Sequence, residues 1–205
     1  MNSSLRVGVF GGSFDPPHEG HRYLASCAVA ELSLDRLLII PAGEAPHKPH
    51  IPGRPSPEQR LAMSRLAFSG LPCCEVSDRE LLRPGKSYTV LTLRELSCEL
   101  PGADLYLIMG SDMFFSVQNW FCAKEIFSLC TLAPAMRYGA DTESALLAHA
   151  ERLRTEFGAR SRLLPIPARE LSSTEVRSGV AEEDTRISPA VRRYISENRL
   201  YETSM

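Results

Sequence analysis

Short apolar runs alternate with stretches of helical spacing along most of this chain, and this alternation constrains the fold more than any other feature. Residues 5–10 and 35–41 have the apolar character of strands, and residues 20–32 between them have the alanine content and spacing of a helix. Further strands are predicted at residues 73–76, 105–109, 130–133 and 163–166, and further helices at residues 57–69, 88–100 and 142–157. This alternation predicts an α/β fold: a Rossmann-like doubly wound parallel sheet with helices on both faces and right-handed crossovers.

The length of 205 residues fits one domain with a sizeable core. We predict a single domain over residues 1–205, in which residues 172–205 form a helical C-terminal part. Its last helix is marked by Ser188 as the N-cap and Pro189 at the first helical position, and is predicted to run to Asn198. No apolar run approaches the length of a membrane span and no secretory signal is visible, so we expect a cytoplasmic protein without a membrane partner.

Charge and cysteine content argue against two classes of protein. A formal net charge of −2 argues against a nucleic-acid-binding protein, because such proteins need a surplus of lysine and arginine to follow phosphates. Any anionic ligand must therefore be met by a local site. The six cysteines form no C-x-x-C pair, which favours buried thiols in a reducing compartment over a metal centre.

The motif G-G-S-F-D-P-P-H-E-G-H at residues 11–21 lies at the first predicted strand-to-helix connection, where doubly wound sheets bind ligands. Gly11 and Gly12 would let a phosphate approach the backbone closely, but the G-x-G-x-x-G fingerprint of nicotinamide-cofactor oxidoreductases is absent. His18 and His21 are three residues apart and would share one face at the start of the helix. Because H-E-x-x-H is also absent, we favour phosphate binding by imidazolium groups over metal ligation.

A second motif, L-S-S-T-E-V-R at residues 171–177, follows the last predicted strand. Ser172 or Ser173 can cap a short helix whose first turn holds Thr174, with Arg177 nearby. At the carboxyl end of a strand this segment would form a second anion site facing the first. Together the two motifs predict a polyphosphate clamp, which the C-terminal part of the domain completes.

The pair of motifs resembles the nucleotidyltransferase superfamily, whose members carry H-x-G-H near the N-terminus and I-S-S-T-x-x-R near the C-terminus. Leu171 and Val176 replace the commoner isoleucines here. Four further segments resemble the bacterial nicotinate-nucleotide adenylyltransferases: D-R-E-L-L-R-P-G-K-S-Y-T at residues 78–89, G-S-D at residues 110–112 followed by Trp120, H-K-P at residues 47–49, and the ending Y-I-S-E-N-R-L-Y. The resemblance thus covers essentially the whole chain.

The resemblance implies transfer of the adenylyl group of ATP to nicotinate mononucleotide, a step of NAD biosynthesis, with Mg²⁺ carried by the ATP phosphates and no protein metal ligand. It implies His18 and His21 as catalytic residues. The residues implied for ATP binding are Gly11, Gly12, Ser13, Phe14, His18, Gly20, His21, Lys48, Gly110, Asp112, Ser172, Ser173, Thr174 and Arg177. The residues implied for nicotinate mononucleotide binding are Ser87, Tyr88, Thr89, Trp120 and Arg137.

Several of these residues also have a physical rationale of their own. Ser87 can act as the N-cap of a helix starting near Tyr88, which would leave the N–H groups of Tyr88 and Thr89 to receive a carboxylate. Asp112 follows a glycine at the end of a strand, where it could accept hydrogen bonds from ribose hydroxyls. The resemblance favours Trp120 as a stacking partner for the pyridine ring over a core residue.

Other carboxylates are given non-catalytic roles. We expect Asp78 and Glu80 to be surface or loop charges. Asp15 could reach a metal through water or brace its turn, and we favour the brace. The detailed role of Arg137 is left open.

The sequence leaves three rival functions: a nucleotidyltransferase with another acceptor, a non-catalytic nucleotide sensor, and a redox or metal-binding cysteine protein. It also leaves open the degree of preference for nicotinate over nicotinamide mononucleotide, and whether the chain forms a homo-oligomer. Residues 41–57, which are rich in proline, are predicted to form an irregular loop that closes over substrates through Lys48.

Overall fold

The computed structural model describes residues 4–44, 53–137, 143–168, 173–177 and 184–201, without the side chains of residues 136–137 and 166–168. The described strands are β1 (Arg6–Gly12), β2 (Arg36–Pro41), β3 (Cys74–Val76), β4 (Asp104–Gly110), β5 (Thr131–Arg137), β6 (Arg160–Ser161) and β7 (Leu164–Ala168). The described α-helices are α1 (Glu19–Leu32), α2 (Pro57–Ala67), α3 (Arg79–Leu82), α4 (Thr89–Glu99), α5 (Ser111–Phe114), α6 (Ala123–Leu129), α7 (Glu143–Phe157), α8 (Ser173–Arg177) and α9 (Pro189–Glu197).

The described strands form one parallel sheet in the order β3-β2-β1-β4-β5-β6, with β7 also paired to β5. The predicted α/β class and parallel sheet are confirmed. The order runs outward from β1 in both directions, since β2 lies on one side of β1 and β4 on the other. Ligands of such sheets bind in the crevice at this reversal, outside the carboxyl ends of the strands.

Two apolar clusters cover the two faces of the sheet and explain why the strands are apolar on both sides. In β1 and β2, Val7, Val9 and Leu38 belong to one cluster, which also includes side chains of α4, α6 and α7. Leu37 and Ile39 belong to the other cluster, which also includes side chains of α1, α2 and α9. Successive strand residues therefore alternate between the two helical layers, as the period of a strand requires.

Two element boundaries differ from the sequence prediction in ways that affect the site. Gly11 and Gly12 belong to β1 and pair with Ile40 and Pro41 of β2, so the strand continues past its predicted end at residue 10. Helix α1 begins at Glu19 and not at Gly20.

The start of the last helix agrees with the prediction. Ser188 caps α9, and its Oγ accepts a hydrogen bond from the N–H of Val191 at 3.3 Å. Pro189 occupies the first helical position, where its missing N–H costs no hydrogen bond within the helix.

The cysteines are free thiols, but most are not buried as predicted. Cys130 is buried, Cys27 and Cys74 are partly buried, and Cys73, Cys98 and Cys122 are exposed. Burial raises the pKa of Cys130 to about 12 and that of Cys74 to about 11, so neither is a reactive thiolate near neutral pH.

No helix within the described parts of the chain is long and apolar enough to cross a membrane.

Candidate active site

The candidate site lies at the carboxyl ends of β1, β2 and β4. The loops after β1 and β2 are joined where Ala42 donates its N–H to the carbonyl of Gly12 at 2.9 Å. Gly11 is exposed there, and a side-chain carbon added to it would lie 3.9 Å from its nearest neighbour, the Ile40 carbonyl oxygen. The backbone at Gly11 is therefore open to a close-approaching group such as a phosphate.

His18 and His21 cap helix α1 reciprocally. His18 is the N-cap, and its Nδ1 accepts the N–H of His21 at 3.3 Å. In return, Nδ1 of His21 accepts the N–H of His18 at 3.2 Å, so two histidines take the roles that Ser and Glu have in an ordinary capping box. The two rings are stacked with centroids 3.6 Å apart, which fixes both ring planes at the positive end of a fourteen-residue helix.

These hydrogen bonds bear on the charge of the two histidines, which the sequence predicts to be imidazolium groups. An Nδ1 atom carries no proton while it accepts a hydrogen bond, so the reciprocal cap favours neutral imidazole rings with the proton on Nε2. Two stacked imidazolium rings would in addition repel one another. We therefore expect the pair to act through Nε2–H donors and not through two positive charges.

Phe14 and Gly20 lie beside the histidines in different roles. The Phe14 side chain is 2% exposed and packs in the core, with its ring centroid 5.1 Å from that of His21 and 5.6 Å from that of Phe68. A direct part for Phe14 in ATP binding is therefore limited to its main-chain groups. Gly20 is the second residue of α1, so its N–H belongs to the first turn of the helix.

Asp15 joins distant parts of the chain to the histidine loop, by which we mean residues 13–18 between β1 and α1. Its carboxylate receives hydrogen bonds from Arg54 Nη1 at 2.9 Å and from the Tyr201 hydroxyl at 2.6 Å, and lies 3.7 Å from Arg177 Nη1. Burial and the hydrogen bond to Asp15 raise the pKa of Tyr201, so Tyr201 donates as a neutral phenol. The structure thus gives Asp15 bracing contacts, the interpretation favoured from the sequence.

The second motif contacts the first directly. Ser173 Oγ donates to the carbonyl of Pro16 at 3.1 Å, and Arg177 Nη1 donates to the carbonyl of Asp15. Arg177 Nη2 also donates to Thr174 Oγ1 at 2.7 Å. Ser173 therefore contacts the histidine loop, and Thr174 contacts it through Arg177.

The local charge at this junction is positive although the whole chain is slightly acidic. Arg54 and Arg177 share the carboxylate of Asp15. Burial lowers the pKa of Arg177, and the neighbouring charge of Arg54 lowers it further. Because the charge of an added anion would offset both effects, the arrangement suits a phosphate-bearing ligand.

The prediction that Ser87 caps helix α4 is wrong. Tyr88 is the N-cap and makes no side-chain capping hydrogen bond, while the hydroxyl of the buried Ser87 accepts the N–H of Gly43 at 3.0 Å. The main-chain N–H of Tyr88 donates to the carbonyl of Lys86 at 3.0 Å and is not left for a carboxylate. The contact of Ser87 with Gly43 thus replaces the predicted local cap. The first helix N–H group that could bind a ligand is therefore that of Thr89.

Glu80 is also not the surface charge that we predicted. It is 8% exposed and accepts a hydrogen bond from the hydroxyl of Thr92. Burial raises the pKa of Glu80, and the hydroxyl of Thr92, the charge of Arg83 and the hydroxyl of Ser87 oppose that rise. Asp78, by contrast, forms an exposed pair with Arg65 at 3.5 Å, as expected of a surface charge.

Asp112 and Trp120 lie on the segment that follows β4. Asp112 is exposed in the first turn of α5, and a side-chain carbon added to Gly110 would lie 2.6 Å from its Oδ1. Gly110 therefore leaves room for the Asp112 carboxylate. Trp120 is partly buried against the core, next to Phe121, which is 54% exposed and whose ring centroid lies 4.6 Å from that of Tyr88. Aromatic surface is thus available beside the start of α4.

Three predicted site residues cannot be placed completely. Lys48 and Ser172 lie outside the described residues, as do residues 45–52 of the loop at residues 41–57. Arg137 is the last residue of β5, and its side chain is not described.

The comparisons with known proteins agree with this geometry. The family model described as cytidylyltransferase-like matches residues 9–179. A probable nicotinate-nucleotide adenylyltransferase of Albidiferax ferrireducens is 41% identical over 203 residues, covering 97% of this chain and 99% of the relative. One of Chromobacterium violaceum, with the same name, is 38% identical over 214 residues, covering 97% and 99%.

The chain belongs to the nicotinate-nucleotide adenylyltransferases. The resemblance seen in the sequence is confirmed. The fold is also similar to the Plasmodium falciparum nicotinic acid mononucleotide adenylyltransferase complexed with NaAD, at a TM-score of 0.78 and 18% identity over 96% of this chain and 97% of the other.

Three residues of this adenylyltransferase site were missed in the sequence: Arg54, Arg60 and Tyr201. Each acts across a long separation, the largest being the 186 residues between Asp15 and Tyr201. Arg60 is 9% exposed on helix α2 and donates to the carbonyls of Ser13 and Gly43, both at 2.9 Å. The one signal for a role of Arg60 was its place on the buried face of α2, beside Leu61, Met63, Ser64 and Ala67.

Replacing Asp15 with Asn should destabilise this adenylyltransferase, because Arg54 and Arg177 would lose their shared counter-charge while remaining mostly buried. We expect the free energy of unfolding, measured by urea denaturation, to fall by about 1–3 kcal/mol. Asp78→Asn, at an exposed pair, is the matched control and should cost about 0–1 kcal/mol. Equal losses in the two variants would contradict the bracing role of Asp15.

Proposed function

We propose that this chain transfers the adenylyl group of ATP to nicotinate mononucleotide, giving nicotinate adenine dinucleotide and pyrophosphate, in the cytoplasm. The observation that carries the proposal is the junction of the two motifs around Asp15. There Arg54 and Arg177 share the carboxylate of Asp15, in the loop that leads to the cap of α1. Ser173, in the same motif as Arg177, donates to the Pro16 carbonyl of that loop. A site with this surplus of donors and positive charge fits a triphosphate and a second phosphate monoester.

The reaction needs no general base. A phosphate monoester has a second pKa of about 6, so the 5′-phosphate of nicotinate mononucleotide is already largely dianionic at neutral pH. One of its oxygens forms a bond to the α-phosphorus of ATP while the bond from that phosphorus to the β-phosphate oxygen breaks. Pyrophosphate leaves with the electron pair, and the catalytic task is in-line positioning and charge stabilisation.

The neutral histidines suit this task. Their Nε2–H groups donate to oxygens of the reacting phosphates, and the fixed tautomer means that no proton has to move first. The N-terminus of α1 adds its dipole to the same place. Lys48, Arg177 and the hydroxyl-rich α8 motif hold the rest of the triphosphate.

We propose that magnesium enters this site as an ion carried by the nucleotide. The described residues contain no group of three or more His, Cys, Asp or Glu side chains that could hold a metal. The Asp15 carboxylate is engaged by Arg54, Arg177 and Tyr201. Mg²⁺ prefers phosphate oxygens and water, and when bound it would neutralise charge on the triphosphate.

The acceptor is bound at the start of α4 and on the aromatic surface beside it. The N–H groups of Thr89 and Val90, the first two residues of the helix, receive the nicotinate carboxylate. The N–H of Leu91 donates to the Tyr88 carbonyl at 3.0 Å. The ring of Trp120 stacks on the pyridine. A carboxylate gains more than an amide from a helix N-terminus, so we expect the acid to be preferred.

Incubation with ATP, Mg²⁺ and a panel of phosphorylated acceptors tests the proposal, with pyrophosphate release as the readout. We expect the highest kcat/KM with nicotinate mononucleotide and a lower value with nicotinamide mononucleotide. Phosphopantetheine and CTP-dependent acceptors serve as controls for a different transferase. Release with another acceptor only, or nucleotide binding without release, would contradict the proposal.

His18→Asn separates the two roles of His18. The Asn side-chain oxygen can still accept the N–H of His21 and is a good N-cap, whereas the Nε2–H donor is lost. We expect kcat to fall by roughly 10²-fold, with the free energy of unfolding close to that of the wild type.

His18→Ala is the matched comparison, since it removes the cap as well and should cost about 1 kcal/mol of stability in addition. Near-wild-type turnover in His18→Asn would remove the ring from the mechanism.

A further inference from the structure

Arg60 is buried, and its hydrogen bonds within the described parts of the chain go to main-chain carbonyls. Nη1 donates to the carbonyl of Ser13 and Nη2 donates to the carbonyl of Gly43, each at 2.9 Å. Helix α2, which carries Arg60, begins with a capping box in which Ser56 and Gln59 bond reciprocally. The fork of a guanidinium allows one side chain to bind two acceptors at once in a fixed geometry.

A contribution to stability does not by itself explain why a buried arginine stands at position 60. Burial lowers the pKa of Arg60, which records the cost of keeping the charge out of water. Buried ions can often be replaced by apolar groups with little loss of stability. The positions of the two carbonyls that Arg60 binds, those of Ser13 and Gly43, give a better explanation.

The two carbonyls belong to the two halves of the candidate site. Ser13 lies in the histidine loop, five residues before His18 on the ATP side. Gly43 lies in the loop after β2, and its N–H donates to Ser87 Oγ at 3.0 Å on the acceptor side. A second hydrogen bond, from the N–H of Ser87 to the carbonyl of Glu44 at 2.8 Å, continues the same contact.

Gly43 has little freedom to move by itself. A side-chain carbon at this position would lie 2.4 Å from the carbonyl oxygen of Glu80, so only glycine allows the approach. The buried Glu80 side chain interacts with Ser87, the residue whose hydroxyl accepts the N–H of Gly43. The segment leading into α4 is thereby packed against Gly43, and Arg60 ties Gly43 to the histidine loop.

We propose that Arg60 is a positioning residue that fixes the histidine loop, which holds ATP, relative to the start of α4, which holds the acceptor. This inference rests on the proposed function. Arg60 touches neither substrate: it acts through the main chain at Ser13 and Gly43. Because reacting atoms must be held about 3–3.5 Å apart and aligned, a misplacement of about 1 Å can reduce the rate by roughly 10²-fold.

Arg60→Lys tests the proposal with the charge retained. A lysine has a single nitrogen and cannot reproduce the two-pronged contact. We expect kcat to fall at least tenfold, while the KM values for ATP and nicotinate mononucleotide change less than threefold. The matched control is Arg65→Lys on the same helix, at the exposed pair with Asp78, and it should keep the wild-type kcat.

Two further measurements separate positioning from a general structural role. Calorimetry with nicotinate mononucleotide and with a non-hydrolysable ATP analogue should give dissociation constants within threefold of the wild type in Arg60→Lys. Urea denaturation should show that the variant is fully folded under assay conditions. If Arg60→Lys lost substrate binding and folded protein in proportion to its loss of kcat, the proposal would be overturned. A kcat of Arg60→Lys equal to that of Arg65→Lys would also overturn it.

Gly43→Ala supplies a second route if Arg60→Lys does not fold. The added methyl group must displace Gly43 from Glu80 without changing Arg60 itself, so the same loss in kcat with retained ATP-analogue binding is expected. An unchanged kcat in Gly43→Ala would overturn the proposal. The wild-type acceptor panel distinguishes this failure from failure of the proposed function, since only the latter removes activity with nicotinate mononucleotide from the wild type.

Discussion

The reciprocal cap between His18 and His21 is the interaction on which the candidate site depends. It starts helix α1 and, in the same geometry, fixes the tautomer and the plane of both rings. The main-chain nitrogens and Nδ1 atoms of His18 and His21 therefore do two things at once: they cap the helix and they order the two side chains. A serine and a glutamate would cap the helix as well, but neither would leave an N–H donor at its positive end.

The parts around this cap are held together mainly by arginines. Arg54 and Arg177 share the carboxylate of Asp15, and Arg60 binds main-chain carbonyls in its described hydrogen bonds. These contacts join loops from the two ends of the chain and leave a local excess of positive charge. A site built in this way attracts phosphates while the protein as a whole keeps a net charge of −2.

The features that could be predicted from the sequence depend on short-range pattern, and those that could not depend on contacts between distant residues. Apolar runs and helical spacing located the strands, and Ser188 and Pro189 located the start of α9, because these signals lie within one element. The meeting of the two motifs was also predictable, since the carboxyl ends of parallel strands share one edge of the sheet. By contrast, Ser87 bonds Gly43 and not its own helix, and Glu80 is buried beside Ser87, so local rules for caps and loop charges were wrong at both positions.

The tautomers of His18 and His21 are the most direct test of this account, because the chemistry assigned to them requires an Nε2–H donor on each ring. The ring nitrogens of the chain's five histidines can be resolved by long-range ¹H–¹⁵N NMR at neutral pH. We predict that both residues have an unprotonated Nδ1 and a protonated Nε2, and that their Nε2 resonances shift when an ATP analogue binds. Protonation at Nδ1 of either ring, or Nε2 resonances indifferent to the nucleotide, would contradict the account.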